Sequence, residues 1–249
     1  MKIALIIFVL YALALLVALA RKAPTRKSAK PISRGWGNRL RVLIIGATGG
    51  TGRELVRQAL EQGHQVTAFV RKPGKLKIEH PNLRIAQGNV RDYASVEAAM
   101  RGQTAVLSAL GHKRFFYPTR ILSEGTRNIL RAMKACDVPR LVCESSLGVG
   151  NSVGRLGIAG TFFVVPVVLP FIYWDKVRQE KAIEESDVDW MIVRPATLTN
   201  KPARGTYRHG RNVGNFILTK SISRADVADF MLKQLTDDSG IGTAVNIAW

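Results

Sequence analysis

The sequence predicts an α/β domain built on a doubly wound parallel sheet, spanning residues 39–249 and preceded by an apolar N-terminal helix. Three observations carry this prediction. Short β-branched runs alternate with amphipathic helical stretches, glycines cluster at the first strand-to-helix junction, and an unbroken apolar run opens the chain. A length of 249 residues suits one such core with a tail rather than two globular domains. A hydrophobic content of 47% supplies a sheet covered on both faces, and 22 glycines supply its tight turns.

The apolar run, Ile3 to Ala20, contains no charge, glycine or proline. As a helix it reaches about 27 Å at about 1.5 Å per residue, close to a bilayer core. Residues 1–21 are therefore expected to form a transmembrane anchor helix. A cleaved signal peptide is the rival reading, because Ala18-Leu19-Ala20 imitates a small-residue cleavage site. Arg21, Lys22, Arg26, Lys27 and Lys30 outweigh Lys2, so the positive-inside rule places the domain in the cytoplasm as a single-pass membrane protein. Residues 22–38 read as a basic linker attracted to anionic lipid. The chain carries 37 Lys and Arg against 18 acidic residues, a net charge of +19, and no acidic residue precedes Glu54. Such a tail also suits nucleic acid, but no aromatic residues interleave with its charges, so none is expected as a partner. Cys136 and Cys143 lack ligand spacing and read as buried thiols, and no metal is expected.

Beyond the linker, apolar runs at Arg41–Ile45, Val66–Val70, Leu83–Ala86, Ala105–Leu110, Leu141–Glu144, Trp190–Val193 and Ala244–Ile247 read as strands. Helical patterns fall between them, near Arg53–Gln62, Ser95–Arg101, Arg120–Ala135, Lys176–Glu185 and Arg224–Leu235. The alternation implies right-handed crossovers. A second long apolar stretch, within 153–174, is broken by Pro166 and Pro170. It reads as a lid on the substrate side of the sheet, either completing the core or dipping into a membrane interface, because a span there would divide the sheet across a bilayer.

Between the first strand and first helix of this domain stand Gly46, Thr48, Gly49, Gly50, Thr51 and Gly52. Glycines at that junction let backbone N–H groups approach a pyrophosphate at a helix N-terminus, where the dipole favours negative charge. This is the signature of a Rossmann-type NAD(P)-binding fold. A side chain at Gly46 or Gly49 is expected to abolish cofactor binding while leaving the fold intact. At the end of the second strand, where an NAD site places an acid for the ribose hydroxyls, the chain has Arg71 and Lys72. Cations there suit a 2′-phosphate, so NADPH is the expected cofactor.

With these motifs the chain resembles the atypical short-chain dehydrogenases/reductases, in the NAD(P)-binding NmrA-like group that includes biliverdin-IXβ/flavin reductase. The similarity runs from about Arg39 to the C-terminus. It rests on GATGGTG, VRKP, Gly88-Asn-Val-Arg-Asp92, Leu110-Gly111, Glu124-Gly-Thr-Arg-Asn128, Glu144-Ser-Ser146 and Val193-Arg-Pro-Ala-Thr197. The resemblance implies that Asn89 and Val90 flank the adenine and that Leu110 and Gly111 contact the middle of the cofactor. It further implies that Ser146, Lys176 and the Arg194-Pro195 segment border the nicotinamide, with Ser146 and Lys176 on the catalytic side and Ser145, Pro195 and Thr197 among the cofactor-binding residues. The plain alternatives are that the serines cap a strand end and that Lys176 is a surface cation.

One departure limits the resemblance. Classical members of the superfamily carry Tyr-x-x-x-Lys, and none of Tyr11, Tyr93, Tyr117, Tyr173 or Tyr207 has a lysine four residues later. The expectation is an NADPH-dependent oxidoreductase whose small-molecule substrate needs no enzyme-bound acid, such as a flavin, quinone or tetrapyrrole. The alternative is a membrane-tethered NADPH-binding regulator or assembly factor without turnover.

Overall fold

Alternation within the first strand sets the layering of the domain. In the computed structural model, which describes residues 2–20, 39–112 and 117–249, β1 (Arg41–Ile45) buries Val42 and Ile44 on one face and Leu43 and Ile45 on the other. Successive side chains of a strand point to opposite faces, so a strand apolar at both requires cover on both. Helix α2 (Gly50–Glu61) packs on the Val42 face through Leu55 and Val56. After β2 (Gln65–Val70) and β3 (Leu83–Gln87), α3 (Tyr93–Met100) covers the Leu43 face with Val96 and Met100. Strand β4 (Ala105–Ser108) leads to α4 (Ile121–Ala135), which adds Ile129 and Met133 to that layer.

The second half repeats the scheme with one elaboration. Strand β5 (Arg140–Glu144) is followed by a lid, in which a single turn, α5 (Gly157–Ala159), runs into a π-helical stretch at Gly160–Val168. Helix α6 (Pro170–Glu184) then returns to β6 (Asp189–Pro195). Short strands β7 (Thr197–Thr199), β8 (Arg208–Gly210) and β9 (Ser221–Ser223) precede α7 (Arg224–Lys233) and the final strand β10 (Thr243–Ala248). The main sheet has the order β3-β2-β1-β4-β5-β6-β10-β8, parallel except for β8, while β7 and β9 pair apart from it. The order reverses between β1 and β4, and such a switch point opens a crevice at the carboxyl ends of the strands.

All seven expected strands and five expected helices occur, and the differences have local causes. Helix α6 begins at Pro170 rather than Lys176, because Pro170 takes the first turn, where a missing N–H costs nothing. The last residues of the expected lid therefore belong to that helix. Strand β3 is a sheet edge and leaves Arg84 and Ile85 exposed. Cys143 is buried as expected, while Cys136 is half-buried.

The N-terminal run forms α1 (Lys2–Leu19). Among the described residues no single helix is long and apolar enough to cross a membrane; the apolar stretch found there, Ile6–Ala18, is short for a span. Instead of projecting away from the domain, α1 lies against the lid and α6. Ala12 is buried, Tyr11 donates to the carbonyl of Pro166 at 3.3 Å, and Leu15 packs against the cluster that includes Leu156, Val165 and Tyr173. The basic linker at 22–38 lies outside the described residues.

Candidate cofactor and acceptor site

The site assembles at the carboxyl ends of the parallel strands. Gly46 to Gly52 follow β1, Arg71 and Lys72 follow β2, and Asn89 and Val90 follow β3. Leu110 and Gly111 follow β4, Ser145 and Ser146 follow β5, and Pro195 leads into Thr197 at the end of β6. The structure thus brings every residue singled out in the sequence to one edge of the sheet, with Lys176 reaching it from α6.

The glycine turn is built for close backbone approach. Gly46 sits at φ +81°, where a side chain is strained, and a Cβ there would fall on the carbonyl of Ala109. A Cβ at Gly52 would fall on the carbonyl of Gly46, so that glycine lets α2 pack against the turn. Gly49 is different: its φ is −73°, and the nearest atom to an added Cβ is the Gly46 carbonyl oxygen at 3.2 Å. The expectation that both substitutions spare the fold therefore needs correction, because Gly46 is required by the chain itself and Gly49 is not. The Gly49 N–H bonds back to the Gly46 carbonyl at 2.9 Å, and no side chain caps α2, leaving its N-terminal donors for an anion. Thr48 stands half-buried in this turn. Such a cradle fits the pyrophosphate of a dinucleotide.

Arg224 was missed in the sequence. Its side chain, from the start of α7, occupies the space where a Cβ of Gly50 would stand, and it donates to Asn200 Oδ1 at 2.7 Å. A cation above the positive end of a helix is unfavourable unless an anion shares the place. Arg224 is thus a second candidate phosphate ligand, and no spacing rule ties it to the glycine turn, whose last glycine, Gly52, stands 172 residues earlier in the chain.

Beyond the ends of β2 and β3, Arg71, Lys72 and Asn89 are exposed and Val90 is buried. Asn128 donates to the Val90 carbonyl at 2.9 Å, and Gly125 admits the Val90 and Leu110 side chains close to α4. Gly111 is exposed.

At the other end of the cleft the polar groups are layered. Thr51 donates to Glu144 Oε1 at 3.0 Å, joining the first turn of α2 to the end of β5. Burial pushes the Glu144 carboxyl above the usual range, while Lys176, the Thr51 bond and Arg224 pull it back. Lys176 is not an ordinary surface cation. Burial pushes it below the ordinary lysine value, against the opposing charge of Glu144 and smaller contributions from Cys143, Glu180 and Asp175. Asp175, fully buried beside it in sequence, accepts from the N–H groups of Leu122 and Ser123 at 2.9 and 3.2 Å and so caps α4 from a neighbouring helix.

Ser146 lies 3.0 Å from the hydroxyl of Tyr173, and Tyr173 donates to the Leu147 carbonyl at 2.8 Å. A phenol has one proton, so Ser146 is the donor of the pair. Burial pushes Tyr173 up to about 12, with the Ser146 bond opposing that shift. Tyr173 precedes Lys176 by three residues, and the position four before the lysine is Ile172. A search for the four-residue spacing passes over this tyrosine.

Ser145 turns inward and donates to Glu180 Oε1 at 2.6 Å. Glu180 also receives Nε and Nη2 of Arg194 at 2.9 and 2.7 Å, and this ion pair is almost fully buried. Arg194 further binds the side chain of Asn151. The network backs the end of the cleft at β5 and β6, with Pro195 buried in β6 and Thr197 exposed in β7 beyond it.

Residues 46–238 match the NAD(P)H-binding family model. The chain belongs to this NAD(P)H-binding family. An uncharacterized chloroplast protein of Arabidopsis thaliana is 30% identical over 83% of this chain and 76% of its own. Matches to several other curated relatives span about half of those proteins or less. A Rossmann-fold NAD(P)-binding protein from Shigella flexneri is 30% identical, covers 84% of this chain and 92% of its own, and superposes with a TM-score of 0.64. Two structures share the fold at TM-score 0.70: the anaerobilin reductase ChuY of Escherichia coli O157:H7 (21% identity, 84% of this chain and 96% of its own) and a Veillonella parvula short-chain dehydrogenase/reductase in complex with NADP (17%, 84% and 94%). Family membership agrees with the strand order and the glycine turn.

Proposed function

We propose that the chain is an NADPH-dependent reductase that transfers hydride to a small conjugated or lipophilic acceptor such as a flavin, quinone or tetrapyrrole. The observation that carries this reading is the pairing of the open glycine cradle on α2 with two exposed cations, Arg71 and Lys72, after β2. The cradle takes the pyrophosphate, Arg224 closes over it, and Arg71 takes the 2′-phosphate through charge-assisted bonds. Bound NADPH supplies the hydride.

The chain's own groups orient the acceptor. Ser146 keeps its lone pairs for the acceptor because its proton goes to Tyr173. Tyr173 cannot serve as the acid, since its proton is spent on Leu147 and its pKa stands near 12. Lys176, beside the Glu144 carboxyl, orients the acceptor together with Ser146, and water supplies the proton. Acceptors whose reduced forms take protons from water fit such a site best. The apolar α1 and the basic linker hold the protein at a membrane, with the domain on the cytoplasmic side.

Steady oxidation of NADPH with a panel of quinones, flavins and tetrapyrroles tests this reading. Binding without oxidation of any acceptor overturns it in favour of the membrane-tethered regulator, which the engaged Tyr173 and the isoleucine at 172 also suit.

A further inference from the structure

The described surface carries a block of apolar side chains outside the cofactor cleft. On the lid and the start of α6, Phe162, Phe163, Val167, Phe171 and Trp174 are exposed, Phe163 by 58%. A second segment, Phe216-Ile217-Leu218, is exposed by 62%, 70% and 62%. Backbone hydrogen bonds join the two: Gly157 N–H to Asn215 O at 2.8 Å and Ile158 N–H to Ile217 O at 3.2 Å. Apolar residues in a connected block of this kind mark a contact surface, whereas single exposed ones do not.

We infer that the lid, the start of α6 and the Phe216–Leu218 loop form one face that rests in the interface of an anionic bilayer. Three features favour lipid over a protein partner. The lid helix and α6 are apolar enough together for a membrane-inserted segment, yet they meet at 96°, which suits a wedge dipping into one leaflet rather than a span. Helix α1, packed on the lid, exposes Ile6, Ile7, Leu10, Leu13 and Val17. With Val9 and Tyr11, also exposed, they spread over about 200° of the helix at about 100° per residue, as in a segment bathed in lipid; a protein partner would cover one narrower stripe. Cations stand at the rim, Arg155 over the Phe216 ring and Arg178 over the Trp174 ring, each at 5.3 Å. Aromatic and basic residues meet in this way at headgroup depth.

The face also adjoins the acceptor side of the cleft. Tyr173, the partner of Ser146, lies between Phe171 and Trp174 on α6 and packs beneath the lid against Leu156 and Val165. An acceptor dissolved in the bilayer reaches Ser146 and Lys176 from the lipid side; this step alone rests on the reductase reading above.

Depth-dependent quenching on the full-length protein tests the inference. In a Cys136→Ser background, Cys143 remains unreactive because it is buried and its thiol is pushed up to about 12. A single cysteine replacing Phe163, Ile217 or, as control, Gln65 at the opposite edge of the sheet carries an environment-sensitive fluorophore. Phosphatidylcholine–phosphatidylglycerol vesicles with nitroxides on the acyl chains should quench and blue-shift the labels at 163 and 217 and leave the label at 65 unchanged. Equal behaviour at all three positions overturns the inference, as does a shift at 163 and 217 that follows protein concentration without vesicles. Circular dichroism of the labelled proteins checks that each is folded.

The access route is read separately, with Phe216→Ser/Ile217→Ser/Leu218→Ser. Its KM for a bilayer-dissolved quinone should rise several-fold while its KM for a water-soluble acceptor stays put. An equal rise for both overturns the route. Oxidation of neither acceptor by the wild type overturns the reductase reading and leaves the quenching result standing.

Discussion

The Glu180–Arg194 pair offers a quantitative test of how the site is supported. Both side chains are almost wholly buried, and Glu180 accepts two bonds from Arg194 and one from Ser145. Replacing Arg194 by methionine leaves a buried carboxylate with the Ser145 hydroxyl as its remaining partner. Removing one member of a buried pair costs about 3–5 kcal/mol, whereas replacing both by apolar residues of similar volume is often neutral. For a chain of this size each kcal/mol moves Tm by about 2–4 °C. Arg194→Met and Glu180→Leu should therefore each lower Tm by about 6–20 °C. The double variant should lose much less than the sum of the two, retaining a loss of about 1 kcal/mol for each of the hydrogen bonds left unmade at Ser145 and Asn151. Thermal unfolding of the four proteins, followed by circular dichroism, completes the cycle. Additive losses would mean that the two charges are solvated independently, and the buried network would have no part in holding β5, β6 and α6 together.

Four further outcomes follow from single residues. Arg71→Ala should weaken NADPH by about 10- to 150-fold, the equivalent of about 1.5–3 kcal/mol of charge-assisted bonding, and leave NADH nearly unchanged; equal losses in a fluorescence titration would assign Arg71 to the fold. Arg224→Ala should weaken NADPH and NADH alike, because both carry the pyrophosphate, and selective loss of NADPH would move Arg224 to the 2′-phosphate. Gly49→Ala should abolish cofactor binding with Tm close to wild type, whereas Gly46→Val should lower Tm as well, so unaltered stability of the latter would contradict the contact with Ala109. His64 accepts from the Leu40 N–H, and burial lowers its pKa from 6.5. The unfolded chain thus binds the proton first as pH falls, and stability should drop below about pH 6.5; an equal pH slope in His64→Asn would show that another group titrates there.

How far the site was legible depends on whether its signals are local in sequence. The strand at Arg41–Ile45 and the glycines after it occupy one short stretch, and strand, turn and helix N-terminus each leave a mark there that needs no tertiary information. The position of Arg71 and Lys72 follows from the same unit, since β2 runs beside β1 and stops at Val70, one residue past its last pair with β1. Tyr173 and Arg224 fail this condition. Tyr173 meets Ser146 because the lid folds α6 back across the end of β5, and its three-residue spacing from Lys176 matches no rule. Arg224 reaches the glycine turn because α7 packs beside α2 on the same face of the sheet.

The apolar segments show the converse, a local signal whose meaning is set elsewhere. Hydropathy alone gives α1 the look of an independent span, and it gives the lid the same composition. Packing joins them: Tyr11 reaches Pro166, Leu15 enters the cluster under the lid, and what remains exposed on both is apolar. Burying one greasy helix against another removes only part of their surface from water, so the pair keeps a driving force toward lipid that neither sequence segment reveals when read alone. The cleft that holds Ser146 and Lys176 lies beside that surface, which ties the two most apolar stretches of the chain, far apart in sequence, to a single place on the fold.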